Sequence, residues 1–169
     1  MTVATGSMAL AKQNLLYAIA DCAAFRTLVG ASGDDAQAQA RARIHRDAIV
    51  APESGDIAFT ADELQKLRPC VLLGTGDFSK ENALSRSGRI VAYFFWDVPE
   101  AIATDPAEIS LRVENLLGTI DQEMTVLART GGYFDGEMEV EGVSRSAREL
   151  YPTQGDFIWA TVNFEWRGI

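Results

Sequence analysis

The stretch Asp105-Pro106-Ala107-Glu108 opens the segment that decides the fold of this chain. Asp105 suits a helix N-cap, because its carboxylate can accept a hydrogen bond from a free N–H of the first helical turn. Pro106 suits the first helical position, where no N–H donor is needed. Glu108 stands three residues after the cap, as in a capping box. Together these residues predict that a helix begins at about residue 105.

The helix that begins there is predicted to be long and amphipathic. Its apolar residues recur every three or four positions, which places them on one stripe: Ile109, Val113, Leu116, Leu117, Ile120, Met124 and Leu127. Gly131-Gly132 permits a left-handed stop, so the helix is expected to span about 105–130. Glu108 and Arg112 are spaced to form an i,i+4 ion pair on its solvent side.

Outward from this helix, the chain reads as one folded domain. It has 169 residues, of which 47% are hydrophobic and 23% charged, values of an ordinary globular domain of this size. We therefore expect a single domain over residues 1–169, with the small and polar residues 1–7 disordered. Cys22 and Cys70 lie among apolar neighbours, so both are expected to be buried, reduced thiols.

The net charge of −9 limits the partners that the chain is suited to bind. Phosphate binding needs clustered Lys and Arg, so an acidic chain is poorly suited to bind nucleic acid. The charge is still compatible with a protein that surrounds DNA without binding it. The longest apolar run, from Ile90 to Trp96, is far shorter than the ~20 residues of a membrane span. We expect no membrane association, and a location in a cytoplasm or in something assembled there.

The N-terminal half is predicted to be mainly helical. An amphipathic helix is expected over about 8–29, ended by Gly30. Helix propensity then favours a short helix from Ala36 to about Arg43, whereas the alternation in 41–45 favours the start of a strand. A capping box at Thr60-Ala61-Asp62-Glu63 predicts a further short helix that stops before Pro69.

The strands are predicted on both sides of the long helix. Cys70 to Leu73 reads as a short buried strand, followed by a polar loop over 74–88, and Ile90 to Trp96 is apolar in both alternations, as in a central strand covered on both faces. Alternation predicts two more strands, over 137–150 with a break at Gly142 and over 158–166. The predicted class is α+β: a mostly antiparallel sheet of four to five strands, packed by the long helix and the N-terminal helix.

No pattern in the sequence predicts catalysis. His45 is the only histidine and has no partner at zinc-ligand spacing. Gly74-Thr75-Gly76 lacks the Lys-Ser/Thr of a phosphate loop and reads as a turn. A Gly-x-Ser-x-Gly elbow is absent from the sequence. Nucleophilic or metal catalysis is therefore not expected, and no catalytic residue, metal site or cofactor is predicted, although the many carboxylates leave an acid/base pair open.

Two other groups of residues are candidates for contacts. Glu137, Glu139 and Glu141 alternate with apolar residues, so they share one strand face. That face is a solvated surface, a divalent-cation site or an acidic lining facing DNA. Tyr133 and Phe134 stand on a glycine-flanked loop, where they either tuck under the helix end or face a partner.

A family resemblance gives these pieces a common function. The chain resembles the tail terminator (tail completion, minor tail) proteins of long-tailed bacteriophages and prophages, in the order of elements over roughly residues 8–168. The resembling stretches are Cys22-Ala23-Ala24-Phe25-Arg26-Thr27-Leu28-Val29-Gly30-Ala31, Ala40-Arg41-Ala42-Arg43-Ile44-His45, Arg68-Pro69-Cys70-Val71 and Trp159-Ala160-Thr161-Val162-Asn163-Phe164-Glu165-Trp166-Arg167-Gly168.

The resemblance implies a structural virion protein of the tail that is not an enzyme, assembled in the cytoplasm of a bacterial host. Such a protein forms a homo-oligomeric ring, usually a hexamer, that caps the tail tube, ends polymerisation of the tube protein and joins it to the head–tail connector. DNA passes through without specific binding. The interface candidates under this reading are Tyr133 and Phe134, together with Asp77 and Phe78 of the 74–88 loop.

Two alternatives stay open at this point. The first is a small ligand-binding or enzymatic α+β domain with a pocket between the long helix and the sheet, lined by aromatic residues: Tyr93, Phe95, Trp96 and Trp159. The second is another head–tail joining protein of the same architecture.

Overall fold

The computed structural model describes residues 7–46, 66–80, 86–97, 105–130, 137–145, 149–151 and 155–168. In chain order, these residues form α1 (Ser7–Asp21), α2 (Ala23–Leu28), α3 (Ala36–Arg41), β1 (Ile44–His45), β2 (Cys70–Lys80), β3 (Arg86–Asp97), α4 (Pro106–Thr130), β4 (Glu137–Arg145), β5 (Glu149–Tyr151) and β6 (Gly155–Gly168). Helices packed on a largely antiparallel sheet confirm the predicted α+β class.

The strands form one sheet in the order β1-β2-β3-β6-β4, and β5 pairs with β6 beyond this path. The pair β1–β2 is parallel, and the other pairs between described strands are antiparallel. β3 lies between β2 and β6, which confirms its predicted central position. Among the described residues the sheet has four long strands, as predicted, and two short ones. The short strands β1 and β5 are only two and three residues long, too short to show a period in the sequence.

The helices cover one face of the sheet with a continuous apolar core. Its largest members are Leu15, Ile19, Phe25, Val71, Leu73, Ile90, Phe94, Leu117, Ile120, Met124 and Phe164. Phe25 of α2 meets Phe94 of β3 edge to face, with ring centroids 6.1 Å apart and planes at 80°. Helices α1, α2 and α4 thus converge on the middle of β3.

The other face of the sheet is also buried at its centre. Cys70 and Leu72 of β2 are fully buried, and Phe95 of β3 is 2% exposed. These residues alternate with the helix-side residues, so their side chains lie on the opposite face. The prediction that the strand at 90–96 is covered on both faces is confirmed for Ile90, Ala92, Phe94 and Phe95.

The predicted signals of the long helix are present in α4. The N–H of Glu108 donates to Oδ1 of Asp105 at 3.1 Å, so Asp105 is the N-cap. The Glu108 carboxylate pairs with Nε of Arg112 at 3.0 Å, on the solvent side of the helix. Leu117, Ile120 and Met124 of the predicted stripe are buried.

The single helix predicted over 8–29 is wrong in one respect, because the helix breaks at Cys22. Cys22 has φ −64° and ψ 122°, an extended conformation that separates α1 from α2. No glycine or proline marks the break in the sequence. The first turn of α2 has a hydrogen-bond acceptor on another helix: the N–H of Ala24 donates to Oε2 of Glu123 on α4 at 3.4 Å. Gly30, at φ 69°, ends the segment as predicted.

The polar loop predicted over 74–88 is also wrong. β2 continues to Lys80, and β3 begins at Arg86, so Gly74-Thr75-Gly76 lies within a strand and is not a turn. The pairs Gly74–Val91 and Thr75–Ile90 continue the ladder, and the register shifts between Thr75 and Phe78. Pairing with β3 outweighs the weak strand propensity of glycine, and the register shift after Thr75 accommodates residues that do not fit the regular ladder.

The region from Ala36 to His45 combines both alternatives that the sequence left open. The helix α3 ends at Arg41, earlier than predicted, and the alternating residues Ile44 and His45 form β1 against Val71 and Leu72. The capping box at 60–63 lies outside the described residues, and Lys66 and Leu67 before Pro69 are helical. Residues 1–6 also lie outside the described residues, whereas Ser7 already belongs to α1.

We predict that Glu123→Ala lowers the free energy of unfolding by about 1 kcal/mol, because α2 loses the acceptor of its first turn. Glu123→Gln keeps a carbonyl oxygen there and should cost less. Glu114→Ala is the control, since Glu114 is an exposed carboxylate on the same helix that accepts from the Ser110 hydroxyl. Urea unfolding measures all three variants, and equal losses for Glu123→Ala and Glu114→Ala would contradict the role of Glu123.

Candidate interaction surface

Four strands pair with one another at one end of the sheet. Among the side chains that the structure describes, the last helix-side core residues toward this end are Leu73, Ile90 and Phe164. From there β2 continues to Lys80, β3 begins at Arg86, and β6 continues to Gly168. We call this extension, formed by residues 78–80, 86–89, 137–139 and 165–168, the distal sheet. Four residues of β3 beyond Ile90 correspond to roughly 13 Å.

The strand register places charged residues of both signs next to each other in the distal sheet. One row of paired residues is Ser87–Arg167–Glu137, and the next row on the same face is Arg89–Glu165–Glu139. Residues that pair across strands lie on one face of a sheet. Opposite charges therefore pair at Glu137–Arg167 and at Arg89–Glu165, whereas Glu165 and Glu139 are a pair of like charge.

The third predicted acidic position, Glu141, lies at an irregularity of β4. The register shifts between Val140 and Gly142, so Glu141 is the residue that the ladder skips. The sequence predicted a break at Gly142, one residue further on. The interpretation of the three glutamates as a cation site or a DNA-facing lining stays a prediction.

The four predicted interface residues fall in two different places. Phe78 pairs with Gly88 and belongs to the distal sheet, and Asp77 lies just before it, at the register shift of β2, so neither residue is in a loop. Tyr133 and Phe134 lie outside the described residues. The structure thus places one of the four residues on the distal sheet and one immediately next to it.

The basic residues of these rows were not predicted from the sequence. Arg89 follows Gly88, and Arg167 is the third residue from the end of the given sequence. Neither position carries a local signal, because the pairing of Arg167 with Glu137 and of Arg89 with Glu165 depends on the β4–β6 and β3–β6 registers.

At the opposite end of the sheet, an ion pair joins the beginning of β2 to the end of β3. Nη2 of Arg68 lies 3.0 Å from Oδ1 of Asp97; the Arg68 side chain is 3% exposed and that of Asp97 59%. Water therefore screens the carboxylate but not the guanidinium. Next to this pair, burial raises the pKa of the Cys70 thiol to about 12, and the nearby Arg43 and Arg68 oppose the shift only in part.

The cysteines have the chemistry of core residues. Both are buried and unbridged, as predicted. Burial, together with the charge of Glu123, raises the pKa of Cys22 far above its ordinary value. Each thiol is neutral near pH 7, and a neutral thiol is neither a good nucleophile nor a metal ligand.

His45, the only histidine of the sequence, is half-buried in β1. Within the described residues, no three or more His, Cys, Asp or Glu side chains are grouped as metal ligands. Among the described helices, none combines the length and the apolar character needed to cross a bilayer.

No protein-family model matches the sequence. A search of curated proteins also gives no significant match.

We predict that wild-type protein loses stability faster than Cys70→Ala as the pH rises above 9. The folded state keeps the Cys70 proton to about pH 12, whereas the unfolded chain releases it near 9.0, so the unfolded state binds fewer protons in this window. The thiol then contributes a loss of about 1.4 kcal/mol per pH unit.

Urea unfolding at about pH 8 and about pH 10.5 measures this difference, which should reach about 2 kcal/mol between wild type and variant. Cys22 is present in both proteins, so its own contribution cancels. Equal pH dependence in the two proteins would contradict the burial of Cys70.

Proposed function

We propose that this chain is a structural subunit that forms a ring at the head-proximal end of a phage-type tail, like the tail terminators that its sequence resembles. The ring caps the tail tube, stops polymerisation of the tube protein and offers a surface to the head–tail connector. The observation that carries the proposal is the element order, with helices, two paired strands, one long helix and further strands in a single sheet.

The form of the sheet supports a role in assembly. A closed ring needs two different patches on each subunit, because each subunit contacts one neighbour on either side. β4 lies at one end of the strand order, and β2, covered by β1 only at Val71 and Leu72, lies near the other end. Both strands take part in the distal sheet, which is the contact region that we propose for a neighbouring subunit.

The charge of the chain agrees with a ring that DNA crosses without binding. A net charge of −9 repels the phosphate backbone as a whole. The distal sheet has acidic and basic positions in the same rows, a pattern suited to specific contacts between subunits rather than to a grip on nucleic acid.

The pocket alternative has less support from the described residues. Tyr93 and Phe95 alternate with the helix-side residues of β3, so they lie on the face opposite α4 and do not line a space between that helix and the sheet. On the helix side, Leu117, Ile120 and Met124 are buried against the sheet core. Another head–tail joining role uses the same architecture and differs only in which ring it stacks on.

We predict that purified protein, alone or with tail tubes as template, forms rings of about six subunits with a central hole. Negative-stain images together with light scattering after size exclusion detect them. The double variant Tyr133→Ser/Phe134→Ser should form fewer rings while keeping the monomer folded, because it removes two aromatic contact candidates.

The matched control is Leu10→Ser, which also removes an exposed apolar side chain, 41% exposed on α1. It should assemble like wild type. Monomers at every concentration, with and without tubes, would contradict the proposal, whereas rings unaffected by the double variant would remove Tyr133 and Phe134 from the interface.

A further inference from the structure

Three basic side chains lie along α1, and we call them the basic strip: Lys12, Arg41 and Arg46. The Arg41 guanidinium lies over the ring of Tyr17, with Cζ 4.9 Å from the ring centroid. Nη2 of Arg46 donates to the carbonyl oxygen of Ala9 at 3.5 Å, and Nζ of Lys12 donates to the carbonyl oxygen of Arg46 at 3.4 Å. The ring and the Ala9 carbonyl are neutral, so they fix the two guanidinium groups without cancelling their charge.

The strip keeps its charge available at the surface of the subunit. Arg41 is exposed, and Lys12 and Arg46 are half-buried. Within the described part of the chain, neither guanidinium group forms an ion pair with a carboxylate. Since Ala9 and Tyr17 mark its two ends, the strip runs along about 12 Å of α1 at the helical rise. It therefore offers several cationic groups in fixed positions to an anionic partner.

The charge of the strip contrasts with that of the rest of the molecule. Residues 7–46 contain five Lys or Arg residues and three Asp, a net charge of +2. Because the whole chain carries −9, the other residues together carry −11. The helices before β1 thus form a basic region on a strongly acidic protein, and the anionic surface that is always present at equal concentration is that of another copy.

The basic and the acidic regions lie toward opposite ends of the strand order. The helix α3, which carries Arg41 and packs on α1, leads into β1 at one end of the sheet. At the other end, α4 packs on β4. Together α4 and β4 contain seven acidic and three basic residues, a net charge of −4. Each subunit therefore has one basic and one acidic side.

Two carboxylates of α4 have a spacing that matches the strip. Glu114 and Asp121 are both exposed. They are seven residues apart, so they lie on one helical face at a separation of about 10.5 Å. The two ends of the strip are about 12 Å apart at the same rise. Both carboxylates can therefore meet basic groups of the strip in a single contact.

The two charged sides favour a head-to-tail contact over a two-fold one. A two-fold contact through the strip would place basic groups of one copy against basic groups of the other. A heterologous contact joins two different patches and brings opposite charges together at every junction of a closed ring. Complementary charges of this kind fix the register and exclude wrong arrangements of the subunits.

We propose that the basic strip of each subunit contacts Glu114 and Asp121 on α4 of the next subunit in the ring. This inference rests on the proposed function and adds to it the pair of surfaces through which neighbouring subunits recognise each other. The contact uses the basic side of one copy and the acidic side of the next, so its charges are complementary although both copies have a net charge of −9.

Reversing the charge of one side at a time tests the contact. Arg41→Glu/Arg46→Glu reverses the basic side, and Glu114→Lys/Asp121→Lys reverses the acidic side. Each variant alone places like charges at every junction, so its ring fraction should fall about tenfold or more under conditions where wild type forms rings. Light scattering and negative-stain images measure this fraction, and circular dichroism checks the fold. If the Arg46 change disturbs α1, Arg41→Glu with Asp121→Lys provides the same comparison.

Complementation distinguishes a charge contact from general damage to the protein. An equimolar mixture of the two double variants should restore rings, because subunits that alternate around a ring of about six have opposite charges at every junction. A chain with all four substitutions keeps the wild-type net charge of −9 and should form rings by itself. Leu10→Ser on α1 changes no charge and remains the control.

The outcomes separate this contact from the proposed ring. Rings that form as readily from either double variant alone as from wild type would overturn the contact and leave the ring unaffected. Loss of rings without rescue, in both the mixture and the chain with four substitutions, would also overturn it. Absence of wild-type rings, with and without tail tubes, would contradict the proposed function and this inference with it.

Discussion

Strand β3 has apolar side chains on both faces, and the need to cover both is the constraint on which the rest of the structure depends. Phe94 and Ile90 require a helix layer on one side, and Phe95 is buried on the other. α4 supplies much of the helix layer through its apolar stripe, while α2 adds Phe25. The bond from Ala24 to Glu123 fixes α2 to α4, so the break at Cys22 and the packing on β3 belong together.

Helix features that depend on capping and periodicity were predicted correctly from the sequence, whereas features that depend on strand pairing or on distant contacts were not. Asp105 and the α4 stripe were readable because a cap and a 3.6-residue period are local. The strand at Gly74-Thr75-Gly76 was not, because only the ladder to Val91 and Ile90 makes it a strand. The break at Cys22 likewise depends on a carboxylate 99 residues away.

For the candidate surfaces, the sequence predicted candidate residues but not how they are arranged. Alternation correctly placed Glu137 and Glu139 in a strand. Their positions relative to Arg167 and Arg89 depend on how β4, β6 and β3 pair, and local sequence patterns do not determine this register. Asp77 and Phe78 were expected in a loop, and they lie on an extended sheet instead. That change matters for the proposed function, because a paired sheet would be a more rigid support for subunit contacts than a loop.

Capping of a growing tail tube tests the proposed function most directly. Purified tube protein is allowed to polymerise with and without a substoichiometric amount of this chain, and electron microscopy records tube lengths and end structures. The account predicts rings at one end of each tube and a shorter, narrower length distribution that depends on the amount added. Tubes of unchanged length with bare ends would contradict it.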